Sequence, residues 1–308
     1  MVEEISEHPL IKGKNTALSK RAATICYYTQ GFCQWAKRDW QVSLEKFARV
    51  RQILDEQPQL KADLPKRYIK SLQYIIQSQI ELGAFKEARD NIRVMRQLNV
   101  EEGFGGIDIA VQTFQASYLS ELRSYDRQGE YTKALDLITP ILQGLEDFSN
   151  RLHKEHELEF YFNLACVHFG AEQMNKSLFW LNKVLNDPEP TLRQDIFTNA
   201  RLFNLVVHYE LGNFDLLQYI VRSTHRFLSK RHRTSGVENL VIDSIKKLAR
   251  AQKETVKRDL YKDLYEGLVT LMADPNESVV LKYFDFLSWA ESKVKNTTYA
   301  AVVRGKVK

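Results

Sequence analysis

The stretch His153-Lys-Glu-His156-Glu157 sets two imidazoles three residues apart, on one face of a helix, where a metal ion would find two nitrogens. A zinc protease needs His-Glu-x-x-His instead, with four-residue spacing and the glutamate inside, to hold the metal and activate its water. The spacing here differs and no third ligand is evident, so the pair reads as a solvated helix start. Gly103-Phe-Gly-Gly106 is the only glycine cluster. A phosphate cradle requires glycines directly before a helix, with Gly-Lys-Ser/Thr or a preceding strand. Neither accompanies the cluster, which reads as a flexible linker. Cys26 and Cys33 lie two turns apart along one helix face, too far for a disulfide, and Cys166 stands alone. No Cys-x-x-Cys pair and no Gly-x-Ser-x-Gly elbow occurs. The sequence therefore supports no catalysis, no metal and no cofactor.

The densest basic run is Arg222, Arg226, Lys230, Arg231, His232 and Arg233. Nucleic-acid binding favours basic and aromatic residues interleaved on one face, and Phe227 is the only aromatic nearby. Cations also suit a helix C-terminus, where unpaired carbonyls carry partial negative charge, and Gly236 follows as a stop. The net charge of +5 is mild over 308 residues and does not itself imply nucleic acid. Hydrophobic content of 44% with 27% charged residues is that of a folded soluble chain. Met1 to Lys20 holds no long apolar core, and nowhere do eighteen apolar residues run together. The expected compartment is reducing and cytoplasmic, with no membrane contact.

The elements that must position any site are helices. Only 13 glycines and 7 prolines occur. Between turn signals, apolar residues recur at three- and four-residue steps, as in Tyr68, Leu72, Ile75, Ile76 and Ile80. One turn signature appears five times: a small or polar residue, an aromatic or Met two positions on, and a small or apolar residue three further. The copies are Arg38-Asp-Trp40-Gln-Val-Ser43, Gly83-Ala-Phe85-Lys-Glu-Ala88, Gly129-Glu-Tyr131-Thr-Lys-Ala134, Glu172-Gln-Met174-Asn-Lys-Ser177 and Gly212-Asn-Phe214-Asp-Leu-Leu217. Such recurrence marks a repeat array, in which each unit buries its apolar face on its neighbours. Helix pairs are predicted at 19–37 with 40–55, 65–82 with 85–98, 108–128 with 131–145, 152–170 with 174–186, and 191–211 with 214–229. Single helices follow at 236–252, 255–273 and 276–294.

The signature resembles the tetratricopeptide repeat (TPR), whose Gly-x-Tyr-x-x-Ala turn joins two helices. The fourth unit agrees best, with Tyr161, Leu164 and Ala165 at the family's Trp, Leu and small positions and Pro188 near its closing proline; in the first, Gly31 and Phe47 match. The steps between units are 45, 46, 43 and 40 residues, longer than the family's roughly 34. Asn204 and Leu217 also depart from the family's Leu and Ala. The resemblance implies an all-α, right-handed superhelix with elongated helices. The expected organisation is an N-terminal extension or partial cap (1–18), about five TPR-like pairs (19–235), a C-terminal helical cap (236–294) and a basic tail (295–308).

In this family the first helix of each pair lines a concave groove that holds a peptide or partner helix. Residue by residue, the resemblance places Lys70, Gln73 and Gln77 there in the second unit, and Leu119, Arg123 and Asp126 in the third. The fourth and fifth units contribute Phe162, Asn163, Cys166, then Asn199, Phe203 and Val206. Side-chain amides both donate and accept, which suits an extended peptide backbone, and Arg123 suits a carboxylate. Of the family's Lys, Asn and Arg carboxylate clamp only Asn163 has a counterpart. The implied function is a non-catalytic scaffold or adaptor that binds a peptide or protein. Two other readings remain: a TPR-type regulatory sensor, and a nucleic-acid binder through the Arg222–Arg233 face. Along the last predicted helix, Val280, Phe284 and Leu287 share one face while Tyr283, Phe286 and Trp289 lie on another. Either the tail Tyr299-Ala-Ala-Val-Val303 folds back over Phe286 and Trp289, or a second copy of the chain (a homodimer) or a separate domain covers them.

Overall fold

The computed structural model describes residues 2–12, 19–229, 235–274, 277 and 283–307. Among these, every regular element is helical. In chain order they are α1 (Val2–Glu7), α2 (Pro9–Lys12), α3 (Lys20–Ala36), α4 (Trp40–Asp55), α5 (Pro58–Asp63), α6 (Pro65–Glu81), α7 (Phe85–Gln97) and α8 (Ile107–Gln128). Then come α9 (Tyr131–Leu135), α10 (Ile138–Asp147), α11 (Lys154–Gly170), α12 (Met174–Leu185), α13 (Gln194–Glu210) and α14 (Phe214–Ser229). The last four are α15 (Gly236–Leu248), α16 (Glu254–Leu271), α17 (Phe286–Val294) and α18 (Tyr299–Lys306). The chain divides into two compact units. One is Met1–Ser124 with Thr139–Leu152, and the other Tyr125–Ile138 with His153–Lys308.

The recurring turn has one physical cause. Its first residue is left-handed in all five copies: Arg38 (φ 63°), Gly83 (78°), Gly129 (65°), Glu172 (61°) and Gly212 (71°). The next residue donates its N–H to the carbonyl five positions back: Asp39 to Gln34, Ala84 to Gln79, Glu130 to Tyr125, Gln173 to His168 and Asn213 to His208, at 2.8–3.0 Å. This is the Schellman arrangement, which satisfies the open carbonyls of a helix end and reverses the chain at once. The small or apolar residue that closes each signature (Ser43, Ala88, Ala134, Ser177, Leu217) is fully buried. Two of these pin their hairpins: Ser43 Oγ donates to the Gly31 carbonyl (3.2 Å) and Ser177 Oγ to the Ala165 carbonyl (2.8 Å), each twelve residues upstream. Gly31 cannot be larger, because a Cβ there would lie 2.9 Å from Cε2 of Phe47.

Two of these turns carry a buried histidine. Nδ1 of His168 lies 3.0 Å from Gln173 Oε1, and Nδ1 of His208 lies 3.1 Å from Asn213 Nδ2. Burial lowers the pKa of both imidazoles; at His168 the Gln173 hydrogen bond opposes the shift without cancelling it. The unfolded chain thus takes up protons more readily than the folded one. The stabilising contribution is complete above the ordinary imidazole pKa of about 6.5 and is lost as pH falls through the depressed folded values. Urea unfolding of the chain should show stability falling between neutral and mildly acidic pH. The His168→Gln, His208→Gln double variant should flatten that dependence, and an unchanged slope would refute the assignment.

Unit 1 is built on α4, α6 and α7, whose Val50, Leu54, Ile69, Leu72, Ile76, Ile92 and Met95 form a common core. The glycine cluster is not a loose linker. Phe104 is buried in this core, edge-on to Tyr68 at 5.8 Å, and Gly103 takes φ 83° where a Cβ would lie 2.5 Å from the Ala62 carbonyl. The N-terminal segment rests on α3, with the Ile11 carbonyl accepting from Gln30 Nε2 and Cys26 Sγ. Residues 13–18 of the predicted N-terminal cap lie outside the described residues. The helix predicted at 131–145 is broken between α9 and α10. Pro140 has no N–H to offer the Asp136 carbonyl, and its ring crowds that group, so the ladder stops before it.

In unit 2 the helix predicted over 276–294 is interrupted at 283–285: α17 begins at Phe286, where Asp285 caps it by accepting from the Ser288 N–H at 2.9 Å, and residues 276 and 278–282 lie outside the described residues. Val280 lies outside the described residues. Within the basic tail Thr298 caps α18, and Tyr299, Val302 and Val303 are buried.

Candidate functional site

Helix α6 starts at Pro65, whose missing N–H costs nothing at a first turn. Its apolar stripe faces the unit 1 core and leaves a second stripe, Lys70, Gln73, Gln77 and Glu81, at three- and four-residue steps. Lys70 Nζ donates to Gln73 Oε1 at 3.2 Å. The amide oxygen of Gln77 is buried with no protein partner. Helix α8 runs beside this stripe. Gln112 Nε2 donates to the Lys66 carbonyl at one end (3.4 Å), and Arg123 pairs with Glu81 at the other (2.5 Å). Predicted residues Lys70, Gln73, Gln77 and Arg123 thus share one surface of unit 1, each partly open to solvent. Glu81 completes this row and was missed, although its spacing from Gln77 continues the stripe. Leu119, in contrast, is buried, 8% exposed.

The predicted groove positions of unit 2 are placed differently. Asp126 accepts from the Tyr131 hydroxyl at 3.0 Å; burial, then the Asp126 charge, raises that phenol's pKa well above its ordinary value. The amides of Asn163 and Asn199 are turned onto their own helices, donating to the Glu159 (2.7 Å) and Asp195 (2.9 Å) carbonyls. Phe162, Cys166, Asn199, Phe203 and Val206 are all buried. The chain's own C-terminal segment covers Phe162, Cys166 and Phe203. Phe284 stacks on Phe203 with ring centres 4.0 Å apart and meets Phe169 edge-on at 5.0 Å. Tyr283 stands edge-on to Phe162, and its hydroxyl donates to Asp195 at 2.5 Å. Burial tends to raise the Asp195 carboxyl, but hydrogen bonds from Arg193 and Tyr283 outweigh it and hold the pKa below the usual range. Tyr299 closes the layer, stacked on Phe284 at 5.6 Å. Phe203 and Asn199 are therefore corrected from groove lining to interior.

Phe286 and Trp289, expected as an interface, are likewise interior, 0% and 1% exposed. Trp289 packs edge-on against Tyr261, and its Nε1–H donates to Glu210 at 2.6 Å; Lys293 pairs with the same carboxylate at 2.7 Å. The covering on Trp289 comes from the chain's own helices α13 and α16, through Tyr209 and Tyr261. The face they bury is not on offer to a second copy.

Three clefts differ in how their polar groups are spent. In unit 1 a cleft of about 540 Å³ between α4, α6 and α7 is internally paired: Arg51 to Asn91 (2.7 Å), and Asn91 to Gln79 (2.9 Å). In unit 2 a cleft of about 430 Å³ beside Tyr209 and Tyr261 is closed by the Glu210 contacts just described. A third, of about 860 Å³, lies between α14 and α15 and contains Arg222 and Arg226 of the predicted basic run. Lys246 of α15 and Arg250, two residues past its end, which the sequence reading missed, line the opposite side. Lys230, Arg231, His232 and Arg233 lie outside the described residues.

His153 and His156 sit with ring centres 6.4 Å apart, and no group of three metal-ligating side chains occurs among the described residues. Cys26, Cys33 and Cys166 are not joined by disulfides; burial pushes the Cys166 pKa well up, opposite to what a nucleophile needs. No helix among the described residues is long and apolar enough to cross a membrane. No protein-family model matches the chain, and no curated protein matches it.

Proposed function

We propose that the chain is a non-catalytic interaction module, a TPR-like array of helical hairpins whose first unit binds an extended peptide along α6. The observation that carries this reading is the polar stripe Lys70, Gln73, Gln77 and Glu81, flanked by Arg123 from α8. Gln73 and Gln77 offer amide donors and acceptors one turn apart, and the buried oxygen of Gln77 has no internal partner. Lys70 adds positive charge at one end, and the Arg123–Glu81 ion pair marks the other. Because the hairpins are held by fixed turns and buried small residues, the surface is formed before the peptide arrives, and the ordering cost of binding is reduced.

A displayed library of random peptides panned on the whole chain tests the reading. Enriched peptides should bind the Gln73→Ala, Gln77→Ala double variant at least tenfold more weakly. Alanine is a strong helix former, so helicity by circular dichroism should not change. Equal affinity for the variant, or no enrichment at all, would refute the proposal.

A further inference from the structure

The cleft between α14 and α15 is a second candidate site, separate from the α6 stripe. Its floor is apolar, made by Leu217 and Val221 of α14 with Ile242 of α15 and Ala249 at its C-cap. Above it, Arg222 and Arg226 stand one turn apart on one wall, and Lys246 of α15 and Arg250, just past the helix end, stand on the other. All four side chains are exposed, and none enters an ion pair among the described residues. Asp243 is the one carboxylate among the lining residues. Elsewhere in unit 2 the cations Lys257, Lys293 and Lys295 are each held by a carboxylate.

We propose that this cleft docks an acidic amphipathic helix from a partner protein, with aliphatic residues on one face and carboxylates along its flanks. Charge complementarity selects the occupant. Cations crowded around an apolar floor repel one another, and a multiply anionic partner removes that cost while steering the encounter. The apolar floor then takes the aliphatic face, as in helix-in-groove recognition. The one-turn spacing of Arg222 and Arg226, a rise of about 6 Å, matches carboxylates placed one turn apart on a helix. Single-stranded nucleic acid fits less well. It favours large aromatic platforms among the cations; the exposed Tyr219 is stacked under Arg222 at 4.8 Å and does not line the cleft, and the one ring that does is the His225 imidazole.

A displayed helical library tests this on the full chain, with glutamates fixed on both flanks and the apolar face randomised. The expected result is enrichment of aliphatic faces. A selected peptide should lose at least tenfold in affinity on Arg226→Glu with Lys246→Glu, and should bind the Gln73→Ala, Gln77→Ala variant unchanged. Both reversed positions are exposed, so the fold should be retained, with an unchanged far-ultraviolet spectrum. A scrambled peptide of the same composition should bind at least tenfold more weakly, which separates docking from charge attraction alone. Failure to enrich, equal binding of scrambled and selected peptides, or equal affinity for the charge-reversed chain would each overturn the proposal. Tighter binding of oligothymidylate than of the selected peptide, with the same dependence on Arg226 and Lys246, would also overturn it and assign the cleft to nucleic acid.

Discussion

Replacing Phe284 by alanine is expected to destabilise unit 2 by about 3–5 kcal/mol, the usual cost of deleting a fully enclosed phenyl ring. Phe284 is 2% exposed and meets four rings, Phe203, Phe169, Phe286 and Tyr299, at centroid separations of 4.0–5.6 Å. The loss combines the transfer of the ring out of water with a cavity that four rigid neighbours cannot readily fill. Urea unfolding should show a lower midpoint. Hydrogen exchange should show faster opening along α11 and α13, the two helices this ring covers. Phe284→Leu should retain most of the stability. A loss under about 1 kcal/mol for the alanine variant would mean the C-terminal segment is not the lid on these helices.

The second large effect is expected at Gly170, the last residue of α11. A Cβ there would fall against the ring of Tyr131, close to Cε1, Cε2 and Cζ together. Tyr131 has little room to withdraw: it is 3% exposed, stacked on Tyr299 at 5.9 Å and tied to Asp126 through its hydroxyl. Gly170→Val should therefore cost at least the 1–3 kcal/mol typical of overpacking, and Gly170→Ala somewhat less, because alanine regains helix propensity. Gly170→Ala combined with Tyr131→Leu should be much less harmful than the sum of the two changes. Simple additivity in that double-mutant cycle would show that the two side chains do not compete for one space.

The hairpins were legible because their signal is local. A left-handed residue, a reversed chain and a small buried residue five positions on are all written within six residues, so even the non-glycine copies at Arg38 and Glu172 stood out. Pro140 was equally visible, and its break of the helix at 136–137 follows from its missing donor; the apolar pattern around it masked the effect. The sixth turn, at Asn296 with φ 50°, repeats the same backbone hydrogen bond (Thr297 to Ser292, 2.9 Å) but lacks the residue spacing of the others.

What was not legible is what covers what. Nothing near Phe203 in sequence reveals that Phe284 will stack on it, since that contact depends on where the last helices come to rest. The aromatic density of residues 283–299 showed that something had to be covered, without showing that the inner faces of α11 and α13 were its other half. The cleft divides in the same way. Arg222 and Arg226 are conspicuous in the sequence, but Lys246 and Arg250 become their partners only once α14 and α15 are set side by side.

The account rests on one asymmetry. The first-helix stripe of unit 1 is open, whereas the corresponding faces of unit 2 are filled by the chain itself. Hydrogen–deuterium exchange of the whole chain, with and without a peptide selected from the random library, measures this most directly. The account predicts added protection along α6, from Tyr68 to Glu81, and around Arg123 on α8, with α11 and α13 unchanged. Protection confined to α11 and α13, with α6 exchanging as in the free chain, would contradict it.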